Sequence, residues 1–307
     1  AEYGGGISHY GYSPNGRIHH NRVYFNRSYD EGGGIMIAGE LPTDPAILSP
    51  GAGPVSIYAN IIQSNLANDD GGGLRFLMAG NYTYNVYNNI IANNVSTHEG
   101  GGISLNDAPR VRVYNNTIVH NITTATAMTS NGQPAPAGLS TTLNSALLQA
   151  TLEPGSPVFS SPLLFNNIFW DNRAGRWDGS AVWGIGLEGD PEPIRLWDLG
   201  VAGTSYLLAP AHSVLNVADG TVPSDTNLVG VNPQVVSPYE MSVAIMPWRT
   251  DPNFVGVNLV AVDLPPTLMG DYHLQATSPA INAGAASKDG VNAPASDIDT
   301  DLRPAGG

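Results

Sequence analysis

The sequence predicts an all-β fold, a parallel β-helix in which short strands wind into stacked coils. Three observations carry that prediction. The first is a repeat: VYNNIIANNVSTHEGGGI (86–103) recurs upstream as IYANIIQSNLANDDGGGL (57–74) and as IHHNRVYFNRSYDEGGGI (18–35). Its first half recurs downstream as VYNNTIVHN (113–121) and LFNNIFWDN (164–172). Self-similarity at a period of roughly 20–50 residues marks a solenoid. The second is a set of columns. With Asn21, Asn60, Asn89, Asn116 and Asn167 in register, a second Asn follows five residues later, at Asn26, Asn65, Asn94, Asn121 and Asn172. Two further columns are apolar throughout: Ile18, Ile57, Val86, Val113, Leu164, and Val23, Ile62, Ile91, Ile118, Phe169. The third is the Gly-Gly-Gly run opened by Gly32, Gly71 and Gly100, with an earlier run at Gly4. Apolar blocks this short and β-branched suit strands, and glycine triplets between them break helices.

Stacked about 4.8 Å apart, the apolar columns become inward ladders. The Asn columns can hydrogen-bond along the stack, as Asn ladders do in cross-β packing. Glycine is expected where a coil bends sharply or takes positive φ. Copies are spaced 39, 29, 27 and 51 residues apart. The longer spacings predict excursions over 39–56 and 123–157, both rich in proline and small residues. Residues 1–183 read as regular coils. Residues 184–307 read as irregular final coils, loops and a C-terminal cap of the same domain. There the repeat fades into stretches such as SYLLAPAHSVLNVA and PYEMSVAIMPW, and the pair NLVGVNPQVV and DPNFVGVNLV resembles coil-closing segments of related β-helix proteins.

On these residues the chain resembles a right-handed parallel β-helix of the pectate-lyase-like superfamily. GDYHLQATSPAINAG (270–284) followed by DIDTDLRP (297–304) is similar to the closing region of secreted bacterial β-helix repeat proteins of the cell surface. That likeness implies the last coils and their cap. Members of the superfamily cleave acidic polysaccharides by lyase or hydrolase chemistry, but no family catalytic motif maps onto this chain residue by residue.

Composition bounds the rest. The chain of 307 residues carries 12 basic and 26 acidic side chains, a formal charge of −14, and no cysteine. Disulfides, zinc-thiolate sites and catalytic cysteine are thereby excluded. No Lys/Arg stripe invites nucleic acid. No stretch has the length of a membrane-spanning helix, so no membrane insertion is expected. The chain opens at Ala1, almost inside a coil, and reads as a processed product or a piece of a longer protein. Its first coil would present a bare strand edge, a surface that natural proteins cover. A protein partner or another copy of the chain is expected to stack there.

Candidate chemistry sits beside the glycine triplets, where Asp30 with Glu31, Asp69 with Asp70, and His98 with Glu99 would stack as like charges. Three readings stay open: a solvated acidic turn, a divalent cation site suited to Ca2+, or a catalytic carboxylate pair acting on a polysaccharide. For the last, the candidates are Asp30, Glu31, Asp69, Asp70 and Glu99. Asp297, Asp299 and Asp301 alternate like the start of a calcium loop, though the glycine and distal glutamate of an EF-hand are missing. Tyr10, Tyr12, Tyr82 and Tyr84 are candidates for stacking on sugar rings. No HxH or HxxxH pair supports a histidine-based metal site. Sequons at Asn26, Asn81, Asn94, Asn115 and Asn121 read as chance products of an Asn/Thr-rich repeat. The expectation is a non-catalytic extracellular or cell-surface scaffold or interaction module, with a polysaccharide lyase or hydrolase as the alternative.

Overall fold

The computed structural model describes residues 2–247, 255–261 and 270–303. Parts of the expectations above fall on Ala1, Trp248, Asp251–Phe254 and Pro304–Gly307, which lie outside the described residues. The fold is a right-handed parallel β-helix. Each of the first five coils contributes one strand in turn to four parallel sheets, and the sixth to three of them. Sheet A begins with Ile7–Tyr10, Ile35–Ala38, Leu74–Leu77 and Ile103–Leu105 and continues through Leu139–Thr141 and Leu199–Val201. Sheet B stacks Gly16–His19, Val55–Tyr58, Tyr84–Tyr87, Val111–Tyr114, Leu163–Phe165 and Pro210–Ala211. Sheet C runs from Arg22–Tyr24 to Leu228–Val229, and sheet D from Arg27–Ser28 to Arg173–Ala174.

The predicted columns are neighbours in this stack. Ile57 pairs with Ile18 and Val86, and Val113 with Val86 and Leu164. Ile62 pairs with Val23 and Ile91, and Ile118 with Ile91 and Phe169. All belong to the main core or pack against it. A period of two along each strand turns these residues inward.

Both Asn columns form continuous ladders. In the first, each Nδ2 donates to the Oδ1 of the Asn in the next coil at 3.0–3.1 Å, from Asn21 to Asn167. In the second the distances are 2.9–3.1 Å, from Asn26 to Asn172. Each Oδ1 also takes the backbone N–H of the preceding rung's Asn, as at Asn60 to Asn89 and Asn65 to Asn94. Corner polarity buried in the core is thus paired.

The glycine triplets serve the ladders. The first glycine has positive φ, +69° at Gly32 and +70° at Gly71, where a side chain is strained. The third faces a ladder: a Cβ on Gly73 would stand 2.9 Å from Asn94 Nδ2, and on Gly102 3.0 Å from Asn121 Nδ2. In the sixth coil the corresponding position is Asp198, whose backbone C=O accepts from Leu139 N–H. Its Oδ1 accepts from Asn172 Nδ2 at 2.9 Å, and its Oδ2 from the N–H groups of Asn216 and Val217. The second ladder therefore ends on a buried carboxylate, and burial raises its pKa to about 6.

Two features differ from the expectation. The excursion placed at 123–157 is interrupted by the sheet-A strand Leu139–Thr141, so it is two insertions, the later carrying the short helix Ala146–Gln149. Past residue 183 the coils continue with strands in sheets A, B and C, to Val229. The closing segment does not stack on the end of the shaft; it lies along its side. Val235–Ser237 pairs antiparallel with Asp271–Leu274, and Met241–Pro247 with Val255–Ala261. From there Tyr239 accepts from Asn93 Nδ2, Tyr272 donates to Gln63, Ser296 accepts from Asn88 Nδ2, and Ala285 bonds Asn166. Asn88, Asn93 and Asn166 have φ of 53–56°, each just before a ladder Asn. Asn tolerates this left-handed turn. In these three Asn-Asn doublets the second residue enters the ladder while the first clasps the returning chain.

Candidate functional site

The glycine corner, between sheets D and A, carries two columns of ionisable groups. Backbone bonds align Glu2, Asp30, Asp69 and His98 in one: the Asp30, Asp69 and His98 N–H groups each donate to the carbonyl of the residue before them in this column. Glu31, Asp70 and Glu99 align in the other, through Gly32 N–H to Asp70 O and Gly71 N–H to Glu99 O. The carboxylate edge expected from the sequence is therefore a real juxtaposition. Its environment is far from a solvated turn, because Asp70 is 7% exposed and Glu99 2%.

Arg75, 3% exposed, is the counter-charge. It stands on the outer face of sheet A, beside Ser104 of the next coil. Its Nε donates to Glu31 Oε2 at 3.0 Å and its Nη2 lies 3.1 Å from Asp70 Oδ2. His98 Nδ1 lies 2.9 Å from Asp70 Oδ1 and 3.3 Å from Asp69 Oδ1. The Thr129 hydroxyl, from the first insertion, donates to Asp69 Oδ1 at 2.7 Å.

These contacts push the carboxyl pKa values apart. Burial, reinforced by the Asp70 charge, raises Glu99 to about 8. Burial also acts on Asp70, but Arg75 and His98 outweigh it and hold Asp70 below its ordinary value. Glu31 and Asp30 are raised, burial being the larger cause in each. For His98, burial is overcome by hydrogen bonds to Asp69 and Asp70, and its pKa rises to about 10. A protonated Glu99 beside an ionised Asp70 is a pairing that acid–base chemistry uses. Both are buried, however, and Thr129 reaches across from the covering insertion.

The other predicted residues separate. Asp297 Oδ1 accepts the N–H groups of Asp299 and Asp301 at 3.0 Å, closing its own turn. Asp299 Oδ2 meets His273 Nε2 at 3.0 Å, and His273 Nδ1 meets Asp271. Among the described residues, the group of three or more His and carboxylate side chains with ligand atoms mutually within 4.8 Å is Asp69, Asp70 and His98. Tyr84 requires correction as a stacking residue: it is fully buried, edge-on to Phe76, with its hydroxyl on the Ala79 carbonyl. Tyr84 occupies an inward position of sheet B, in register with Val111, where the pleat sends a side chain into the core. Tyr10 and Tyr12 are more than half exposed. Tyr82 sits edge-on to Tyr12 at 5.7 Å with its hydroxyl on Pro50 O.

The sequence reading missed the outward aromatic column His19, Tyr58, Tyr87, Tyr114 and Phe165, stacked with centroids 4.7–5.2 Å apart. The signal was present: each lies two residues before a first-ladder Asn. Residues of the returning chain, Val291 and Ala293, cover its far end. A groove of about 750 Å³ also opens between the first Asn corner and the closing segment, lined by Arg22, Asn88, Asp271, His273, Asp299 and Arg303 among others.

No helix among the described residues is long and apolar enough to cross a membrane. Compared with protein families, curated proteins and solved structures, the chain matches none.

Proposed function

We propose that this chain is a non-catalytic shaft of an extracellular or cell-surface assembly, a β-helix of the pectate-lyase-like superfamily. It joins end-on to another copy or a protein partner through its first coil. The observation that carries this reading is the first coil itself. Among the described residues its four strands pair on one side only, each standing at the end of its sheet. Ile7 and Gly11 N–H groups donate to the second coil, so the alternation of the strand turns the Ser8 and Tyr10 N–H groups to the bare side. Tyr10, Tyr12, Tyr24 and Tyr29 are 45–63% exposed on this coil, while every residue of Ile35–Ala38 directly beneath is buried. Aromatic residues around an unpaired edge suit strand addition by a protein surface.

Sedimentation velocity over a wide concentration range tests it. The shaft reading expects association that grows with concentration and is abolished by Ser8→Pro, which removes an outward N–H and leaves the inward pairing intact. A chain that stays monomeric throughout defeats stacking by a second copy.

The ionised Asp70 beside protonated Glu99 favours a second reading, polysaccharide cleavage at the acidic corner. Its burial weighs against that reading. Release of reducing ends or of unsaturated products from acidic polysaccharides, lost in Asp69→Asn and Asp70→Asn, would establish it in place of the first.

A further inference from the structure

We infer that Asp69, Asp70 and His98 bind one divalent transition-metal ion of the zinc or cobalt type, tying the second and third coils and the Thr129 insertion together. The geometry comes first. One imidazole nitrogen and two carboxylate oxygens converge, with His98 Nδ1 at 2.9 and 3.3 Å from the two Oδ1 atoms. Ligands at about 2.0–2.1 Å from a tetrahedral ion stand roughly 3.3 Å from one another, so the trio needs little movement to close on an ion. The three side chains are 31%, 15% and 10% exposed, open enough for an ion to enter.

Two further observations point to a ligand. Glu99, 2% exposed, has a buried Oε1 with no hydrogen-bond partner. Its backbone N–H donates to Asp70 Oδ1 at 3.3 Å, which joins Glu99 to the same cluster. A buried acceptor left unpaired is costly, and water on a bound ion would supply its donor. The surrounding charge also calls for a cation. Glu2, Asp30, Glu31, Asp69 and Asp70 stack on two adjacent columns, and Arg75 is the guanidinium set against them.

The outer contacts fit a ligand set. Arg75 holds Asp70 by Oδ2, leaving Oδ1 toward His98, and Thr129 fixes Asp69. Partners of this kind orient ligands in metal sites. The imidazole decides the class of ion. Calcium prefers oxygen ligands, six to eight of them, whereas nitrogen with carboxylate suits zinc, cobalt or nickel.

The test uses the whole chain, stripped with EDTA and dialysed free of it, titrated with Zn2+ and Co2+ by calorimetry and followed by thermal unfolding. One ion per chain is expected. The unfolding midpoint should rise about 5 °C with the ion at a hundredfold excess over its dissociation constant, and Co2+ should develop a visible absorption band. His98→Ala should weaken binding at least a hundredfold, and Thr129→Ala about tenfold, as loss of an outer partner does. Circular dichroism of both variants in EDTA should match the parent. Should His98→Ala misfold, Asp69→Asn replaces it with the same expectation. Binding no tighter than millimolar, binding unchanged in the ligand variants, or equal response to Ca2+ would overturn the assignment.

Discussion

The Asn corners and the glycine corner of this shaft solve the same problem with different success. At each, every coil repeats one polar residue directly above its counterpart, about 4.8 Å away. An amide both donates and accepts, so a column of identical amides satisfies itself, and both ladders do so through five consecutive Asn. An ionised carboxylate only accepts. A column of them repels itself and must import donors from outside the repeat. Arg75 and Thr129 are those imports, His98 replaces a carboxylate within the column, and Glu99 is left with an unpartnered oxygen. Repetition alone makes a stable corner from asparagine; from aspartate and glutamate it makes a site.

The sharpest way to break the comparison is to convert one corner into the other. Asn94→Asp places a carboxylate in mid-ladder. It still accepts from Asn65 N–H and Nδ2, and the backbone N–H at 94 still reaches Asn121 Oδ1, but the side-chain donor to Asn121 Oδ1 and to the Ile62 carbonyl is gone. A buried charge then faces an acceptor, with no cation near. We expect a loss of about 5 kcal/mol in urea unfolding at neutral pH, partly recovered in acid as the new carboxyl protonates. A loss under about 1 kcal/mol would show that the ladder contributes little.

The converse experiment removes the glycine corner's imported donor. Arg75→Met keeps the volume and deletes the charge facing Glu31 and Asp70. Leaving buried carboxylates unpaired should cost about 3 kcal/mol in the same measurement. The effect is smaller than in the ladder because Glu31 and Asp70 retain some access to water and can take up protons.

The two corners also differed in how far the sequence disclosed them. The Asn columns, their apolar neighbours and the carboxylate edge were legible because a solenoid makes sequence period and spatial neighbourhood the same thing. Asn89 lies beneath Asn60 for the reason that the repeat aligns them. What lay off the repeat was hidden. Nothing in the spacing announced that Arg75 would turn back onto Glu31 and Asp70, or that Thr129, inside an insertion, would reach Asp69. The side-lying closing segment was equally unreadable, since its anchors pair residues more than a hundred positions apart, as Asn93 with Tyr239 and Asn88 with Ser296. Burial misled the reading of Tyr84: Tyr82, two positions earlier, precedes the strand and is only partly buried, whereas Tyr84 opens Tyr84–Tyr87 on its inward face. The Asn-Asn doublets did hold a clue to the clasp, in a residue type suited to positive φ standing before each ladder position.

The smallest expected effect separates the corners by pH. Glu99 is raised from 4.5 to about 8 in the folded state. Its contribution is therefore complete below pH 4.5 and lost as pH rises toward 8. His98, raised from 6.5 to about 10, contributes fully below pH 6.5 and declines above it. At the ladders the shifted group is Asp198, raised from 3.8 to about 6, whose contribution has gone by about pH 6. A fall in stability between pH 6.5 and 8 thus reports the glycine corner together with His273, whose pKa the bond to Asp271 also raises. Glu99→Gln holds that side chain neutral at every pH and matches its shape. The variant should show a flatter profile from pH 4.5 to 8 and exceed the parent at pH 8, with His98 and His273 supplying the slope that remains. Parallel profiles for parent and variant would mean that Glu99 titrates alike in the folded and unfolded chain, and the contrast between the corners would then rest on hydrogen bonding alone.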